Sequence, residues 1–223
     1  MFIGHYAVGM AAKKWAPKAS LGTLVAAAIW LDIVWPIFLL LGLEHFRISP
    51  GITKMSPFDF YDYPLSHSLI MALAWAGLLG LLYLMLGKND NKGAWIVGGL
   101  VVSHWFLDYI VHRPDLPILP AEQGFMNHRY GLGLWDHPAV AIPLEVALFA
   151  AGFWLYLTST KALDSKGKWS LWAFGAVLAA FYVASLVSPP PTNPNLVTLM
   201  ALFQLAFVAW AYWIDDHRKA TGK

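Results

Sequence analysis

The sequence predicts an all-α fold, an integral membrane bundle of about six transmembrane helices with a short N-terminal interfacial or re-entrant segment. Residues 1–223 form a single transmembrane helical domain. Three observations carry this reading. Hydrophobic residues make up 58% of the chain and charged residues 13%, where a water-facing domain has about 25% charged residues. Six stretches reach the ~20 mostly apolar residues that a helix needs to cross a bilayer. The lysines and arginines are also sorted unequally between the connecting segments.

Residues 1–12 are apolar but too short to cross, and Lys13 and Lys14 follow them. Without a basic start they make a poor signal peptide. On its own surroundings His5 reads as a surface histidine. The spans then run over 19–42, 68–86, 93–111, 139–158, 169–188 and 196–214, separated by polar or proline-rich breaks. Two connections, 43–67 and 112–137, are long and carry Asp, His, Tyr and Pro. With six spans both fall on one face, and long loops of this kind often hold function. Eleven of the 15 basic residues gather on the other face, with both termini. That asymmetry places the termini in the cytoplasm and the long loops outside.

Composition also excludes classes. With no cysteine there is no disulfide, thiolate zinc site, iron–sulfur cluster or Cys nucleophile. A formal charge of +2 and a greasy chain argue against nucleic acid as a partner. No G-x-S-x-G turn is present for a serine hydrolase. The expected partners are membrane lipids.

Ionisable residues in hydrocarbon are costly, so each is a functional candidate. Asp32 lies deep in the first span. The third ends in Ser103-His104-Trp105-Phe106-Leu107-Asp108-Tyr109-Ile110-Val111-His112, where His104, Asp108 and His112 recur every fourth residue on one face. His112 stands either on that face or just past the helix, because Pro114 follows. His67 opens the second span and His137 the fourth, with Glu145 two turns deeper. In a closed bundle Asp32, His67, His104 and Asp108, with His137 and Glu145 as further candidates, meet at similar depth. His45 and His128 read as solvated loop residues and His217 as a solvated helix end. Two imidazoles and a carboxylate on an apolar helix suit a divalent metal, zinc first, with manganese or iron(II) as alternatives.

The order Gly4-His5, Leu31-Asp32, Ser66-His67-Ser68, then Ser103-His104 with Asp108 resembles the bacterial membrane-bound metal-dependent hydrolase family of the inner membrane, over about the first half of the chain. The resemblance implies a zinc-type site and hydrolytic chemistry, and it makes His5 a ligand. The chain departs from the family where Pro and a second Asp usually flank the match for Asp32, and where Asp62-Tyr63 replaces a His-Arg pair. Fewer ligands imply one ion rather than two, or a changed activity.

The leading expectation is a membrane-embedded metal-dependent hydrolase acting on an ester or phosphoester of a lipid-like substrate. His5, His67, His104 and Asp108 bind the ion, and Asp32 ligates or serves as base. His112 and His137 orient the leaving group or support the ligands, while Trp105, Tyr109 and Trp135 form an apolar wall. Two other readings stay open: a transporter or ion pathway using the same Asp and His residues, and a non-catalytic membrane subunit with a structural metal.

Overall fold

The computed structural model describes residues 1–88, 90–120 and 128–221. Asn89, residues 121–127 of the second long loop and Lys223 of the basic tail lie outside the described residues. The chain begins with α1 (Ile3–Ala12), α2 (Leu21–Ala28) and α3 (Trp30–Leu40). A hairpin of β1 (His45–Ile48) and β2 (Phe58–Asp62) leads through the single turn α4 (Pro64–His67) into α5 (Leu69–Tyr83) and α6 (Asn91–Val111). After a short pair, β3 (Leu116–Pro117) with β4 (Arg129–Tyr130), come α7 (Pro138–Ser159), β5 (Thr160–Ala162) and α8 (Ser165–Val187). The chain closes with α9 (Pro194–Leu202), α10 (Gln204–Asp216) and β6 (Arg218–Ala220).

Five helices are long and apolar enough to cross a membrane: Leu69–Leu86, α6, α7, α8 and the combined Pro194–Asp216. The pair α2 and α3, bent by 60°, passes the same test together and makes a sixth when the two are counted as one broken span. Their outer faces expose large apolar side chains such as Leu73, Leu81, Trp95 and Trp154. A water-soluble protein rarely shows so continuous an apolar surface, and it suits contact with lipid.

The stretch 19–42 reads as one continuous span, but the structure breaks it. Helix α2 stops at Ala28, Ile29 takes φ −105° and ψ 16°, and α3 restarts at an angle of 60°. Nothing local dictates the break, since Ile29 and Trp30 are ordinary apolar residues. The tertiary fold compensates for it, because the Ala28 carbonyl accepts a hydrogen bond from His104 Nδ1 at 2.9 Å. Further on, Pro36 has no N–H to offer the Asp32 carbonyl four residues earlier. Asp32 therefore stands in the first turn of a restarted helix, not midway along a continuous one.

The first ten-residue helix is buried within the bundle rather than laid on its surface. Most of α1 is buried, including His5, Tyr6 and Met10, and it packs on α7, α2 and α6. Small residues allow this approach. A Cβ added at Gly9 would lie 3.0 Å from the Leu24 carbonyl oxygen, and one at Gly152 would overlap the Ala7 carbonyl. The first amides of a helix have no partner within it. Here the Glu145 carboxylate accepts from Phe2 N at 3.1 Å and Gly4 N at 3.3 Å.

The first long loop carries the hairpin. Its register pairs Arg47 with Asp59 and Ile48 with Phe58. Phe46 and Phe60 pack against Trp35 with ring centroids 5.2 and 5.5 Å apart. The hairpin thereby covers the end of the bundle where α6 stops. At the other end β5 pairs with β6, Thr160 opposite Ala220, and ties the close of α7 to the close of α10.

The α1–α7 contact gives a first prediction. Gly152→Val should destabilise the protein by about 1–3 kcal/mol, as overpacking generally does, and release α1. Thermal melting in detergent checks the loss, and increased labelling of a cysteine placed at Ala7 checks the release.

Candidate metal centre

The close of α6 presents His104 and Asp108 on one face, as the four-residue spacing predicts. His67 ends α4, Asp32 begins α3, and α1 brings in His5. Asp32 Oδ1 lies 3.6 Å from His67 Nε2 and 3.7 Å from His104 Nε2. Asp108 Oδ2 lies 3.8 Å from His67 Nε2 and 3.1 Å from His104 Nε2. The other Asp108 oxygen, Oδ1, lies 3.1 Å from His5 Nε2 and also pairs with the Met1 amine. The His5 and His104 rings stack with centroids 3.7 Å apart.

Hydrogen bonds outside the cluster fix which nitrogen of His104 and of His67 faces inward. His104 Nδ1–H donates to the Ala28 carbonyl, so in the neutral ring Nε2 carries the lone pair, and Nε2 has no hydrogen-bond partner among the described residues. It nevertheless lies 3.1 Å from a carboxylate oxygen. In that neutral form the two acceptors repel unless a proton or a metal ion lies between them. His67 repeats the pattern. The Ser66 hydroxyl donates to Glu44 Oε2 at 2.7 Å, so it accepts from His67 Nδ1–H, also at 2.7 Å. His67 Nε2 is then the lone-pair nitrogen.

Glu44 is itself held in place by the Leu65 and Ser66 amides, each at 2.7 Å. Burial pushes the Glu44 carboxyl above its usual value, and the Ser66 and Leu65 bonds pull it partly back. Such outer partners set the tautomer and basicity of a ligating histidine.

Among the described residues two groups could hold a metal ion: Asp32, His67 and His104, and His5, His104 and Asp108. Zinc at 2.0–2.2 Å from tetrahedral ligands places those ligands about 3.3–3.6 Å apart. The four separations among Asp32, His67, His104 and Asp108 given above, 3.1 to 3.8 Å, bracket that value. The donor set therefore fits a small divalent ion. Asp32 is the most accessible of these side chains at 29% exposure, while His104 is fully buried. The opening of the cluster lies on the Asp32 side.

The remaining candidates divide. His112 is not in the helix; it is the C-cap of α6, with extended backbone. Its Nδ1 bonds Asp115 Oδ1 at 3.0 Å, and its Nε2 lies 3.9 Å from Asp108 Oδ1. Trp135 packs on its ring at 4.3 Å, and Tyr63 OH donates to the same Asp115 oxygen at 2.8 Å. Trp105 stacks on Tyr109 with centroids 5.7 Å apart.

His137 is not brought to the cluster. It is exposed at the N-cap of α7, with no side-chain hydrogen bond among the described residues. Glu145 is buried close by but is used up in holding α1. His45 is exposed and bonds Asp62 at 2.7 Å, His217 bonds Asp164 at 2.8 Å, and His128 is exposed.

No family model, curated protein or solved structure matches the chain. The geometry alone therefore carries the site.

Sequence reasoning missed Glu44 and Asp115 and gave Ser66 no role in orienting His67. The spacing of Asp115 from His112 was a usable signal, because residues three apart meet at a turn. Glu44 gave none, since the hairpin separates it from Ser66. Replacing Ser66 with Ala should weaken metal binding about 10- to 100-fold, the usual cost of losing an outer partner of a ligand. Competition with a chromogenic chelator measures this.

Proposed function

We propose that the chain is a membrane-embedded, metal-dependent hydrolase that acts on an ester or phosphoester of a lipid-like substrate, with zinc as its ion. One observation carries the reading: Asp32, His67 and His104, and His5, His104 and Asp108, form two groups that share His104 and could each hold a metal ion in an apolar bundle. The order of Gly4-His5, Leu31-Asp32, Ser66-His67 and Ser103-His104 along the chain supports it through the family resemblance described above.

His67, His104 and Asp108 would hold the ion, with His5 packed against Asp108 and His104 as a further ligand. A divalent ion held this way supplies Lewis acidity and lowers the pKa of a coordinated water toward ~7. Asp32, at the accessible edge, either completes the ligand set or takes the proton from the attacking water at a carboxylate oxygen. His112 Nε2 faces the cluster with its ring fixed by Asp115; as the imidazolium, with Nδ1–H on Asp115, it would give its Nε2 proton to the leaving group and be left neutral, to be reprotonated from solvent. Trp135 covers that ring and keeps bulk water from it. His137 has no role in this scheme, because it stands apart in solvent. The substrate reaches the centre from the hairpin end of the bundle. With the basic face in the cytoplasm of a bacterial cell, that end lies toward the outer half of the inner membrane.

Elemental analysis of the purified protein tests the reading. The wild type should carry zinc in stoichiometric amount, and His104→Ala with Asp108→Ala should remove it while the helical circular dichroism is kept. Full metal content in the double variant, or none in the wild type after purification without chelators, would overturn it. Loss of metal together with loss of the fold would instead indicate a purely structural ion.

A further inference from the structure

A crevice of about 430 Å³ runs along the bent pair α2 and α3, between them and helices α5, α6 and α10. Ala27 and Val97 are buried at its back, and Leu82 and Tyr212 stand exposed at its mouth on the apolar surface of the bundle. No charged residue is among the described residues that line it. Its hydroxyls are already engaged. Ser20 Oγ and Thr23 Oγ1 lie 2.7 Å apart, Thr23 Oγ1 meets Tyr212 OH at 3.0 Å, and Tyr83 OH donates to Asp90 at 3.1 Å. A charged occupant would lose its water there without gaining a counterion, so the lining suits hydrocarbon.

Size narrows the occupant further. The eight residues of α2 rise about 12 Å. A helix of that length and about 10 Å across takes up roughly 900 Å³, about twice the crevice, so a span from a second copy or a partner cannot lie in it. A single hydrocarbon chain is thin enough. The volume falls within the range of about 300–1,000 Å³ common to small-molecule sites.

The crevice also adjoins the metal centre. Trp30 lines it, and Asp32, the accessible edge of the centre, follows two residues later. Ala27 precedes Ala28, whose carbonyl holds His104. On α6, Val97 stands two turns, about 10 Å, before His104. Trp30 Nε1 has no hydrogen-bond partner among the described residues, a donor that an ester oxygen of a lipid would satisfy.

We propose that the crevice holds the hydrocarbon chain of the lipid-like substrate, with its ester or phosphoester group at Asp32 and its chain running past Trp30 toward Tyr212. The proposal rests on the hydrolase reading above and narrows its substrate class. The scissile bond stands next to a long unbranched chain, and the site selects by that chain rather than by the charge of a head group. A lipid in the half of the bilayer at the hairpin end points its chains in this direction.

The chain contains no cysteine, so a Leu82→Cys variant can be blocked after folding with N-benzylmaleimide. Leu73→Cys, exposed on the same helix but outside the crevice, is the control. An ether lysophospholipid with a diazirine in its alkyl chain reports occupancy without turnover. Nitrophenyl acetate and nitrophenyl dodecanoate report cleavage by the zinc-loaded protein. Photolabelling should saturate and fall on the α2 and α6 peptides that carry Ala27 and Val97. Blocking Leu82→Cys should remove it, and blocking Leu73→Cys should not. The same block should raise KM for dodecanoate roughly tenfold more than KM for acetate, as a changed apolar fit generally does. Absence of labelling at the crevice, or labelling indifferent to the block, overturns the proposal. Labelling that the block removes while dodecanoate cleavage is unchanged assigns the crevice to a bilayer lipid and overturns the substrate's chain. A zinc-loaded wild type that is labelled at the crevice yet cleaves neither ester overturns the hydrolase reading, and the substrate with it.

Discussion

A carboxylate placed in an apolar bundle must be met by opposite charge or by several donors, and Asp108 imposes that demand on most of the fold. It is almost fully buried at the close of α6. Its two oxygens turn toward different parts of the chain. Oδ2 faces His67 and His104, and Oδ1 faces His5 and His112. Helices α1, α4 and α6 therefore converge on one side chain, and Asp32 approaches from α3. Without these partners the cost of an isolated charge in hydrocarbon would be several kcal/mol.

The histidines are oriented from outside, each by a different kind of acceptor. His104 uses a main-chain carbonyl released by the broken span, His67 a serine that leans on a glutamate, and His112 an aspartate. Because each outer bond engages Nδ1, each Nε2 turns toward Asp108. This arrangement gives the break at Ile29 a physical purpose. An unbroken helix would keep the Ala28 carbonyl for its own ladder, and His104 would lose the bond that sets its tautomer.

Much of the bundle was legible in the sequence, because crossing a bilayer requires a long apolar stretch and such stretches are visible without a structure. The 60° bend in the first span was not legible, since the bond that satisfies the carbonyl at the break comes from His104, far along the chain. The pairing of His104 with Asp108 followed from helical periodicity, and the meeting of Asp32 with His67 followed from the cost of burying ions. His137 misled because a histidine beside a proline at a helix start looks the same whether it faces the core or the solvent. Glu44 escaped because its role depends on a hairpin fold-back that no local pattern announces. The fate of residues 1–12 turned on Gly152 and Glu145, which lie in α7 and say nothing about α1 until the two are packed together.

That last contact bears on the order in which the molecule can be assembled. Phe2 and Glu145 are separated by 143 positions. The segment carrying His5 is synthesised before α7, yet the wall it leans on is made only after the intervening spans have been synthesised. Until then His5 has no seat, and the imidazole cluster lacks one side. A nascent chain thus holds its histidines and aspartates as an incomplete set, and the set closes only once α7 has been made and α1 has packed against it.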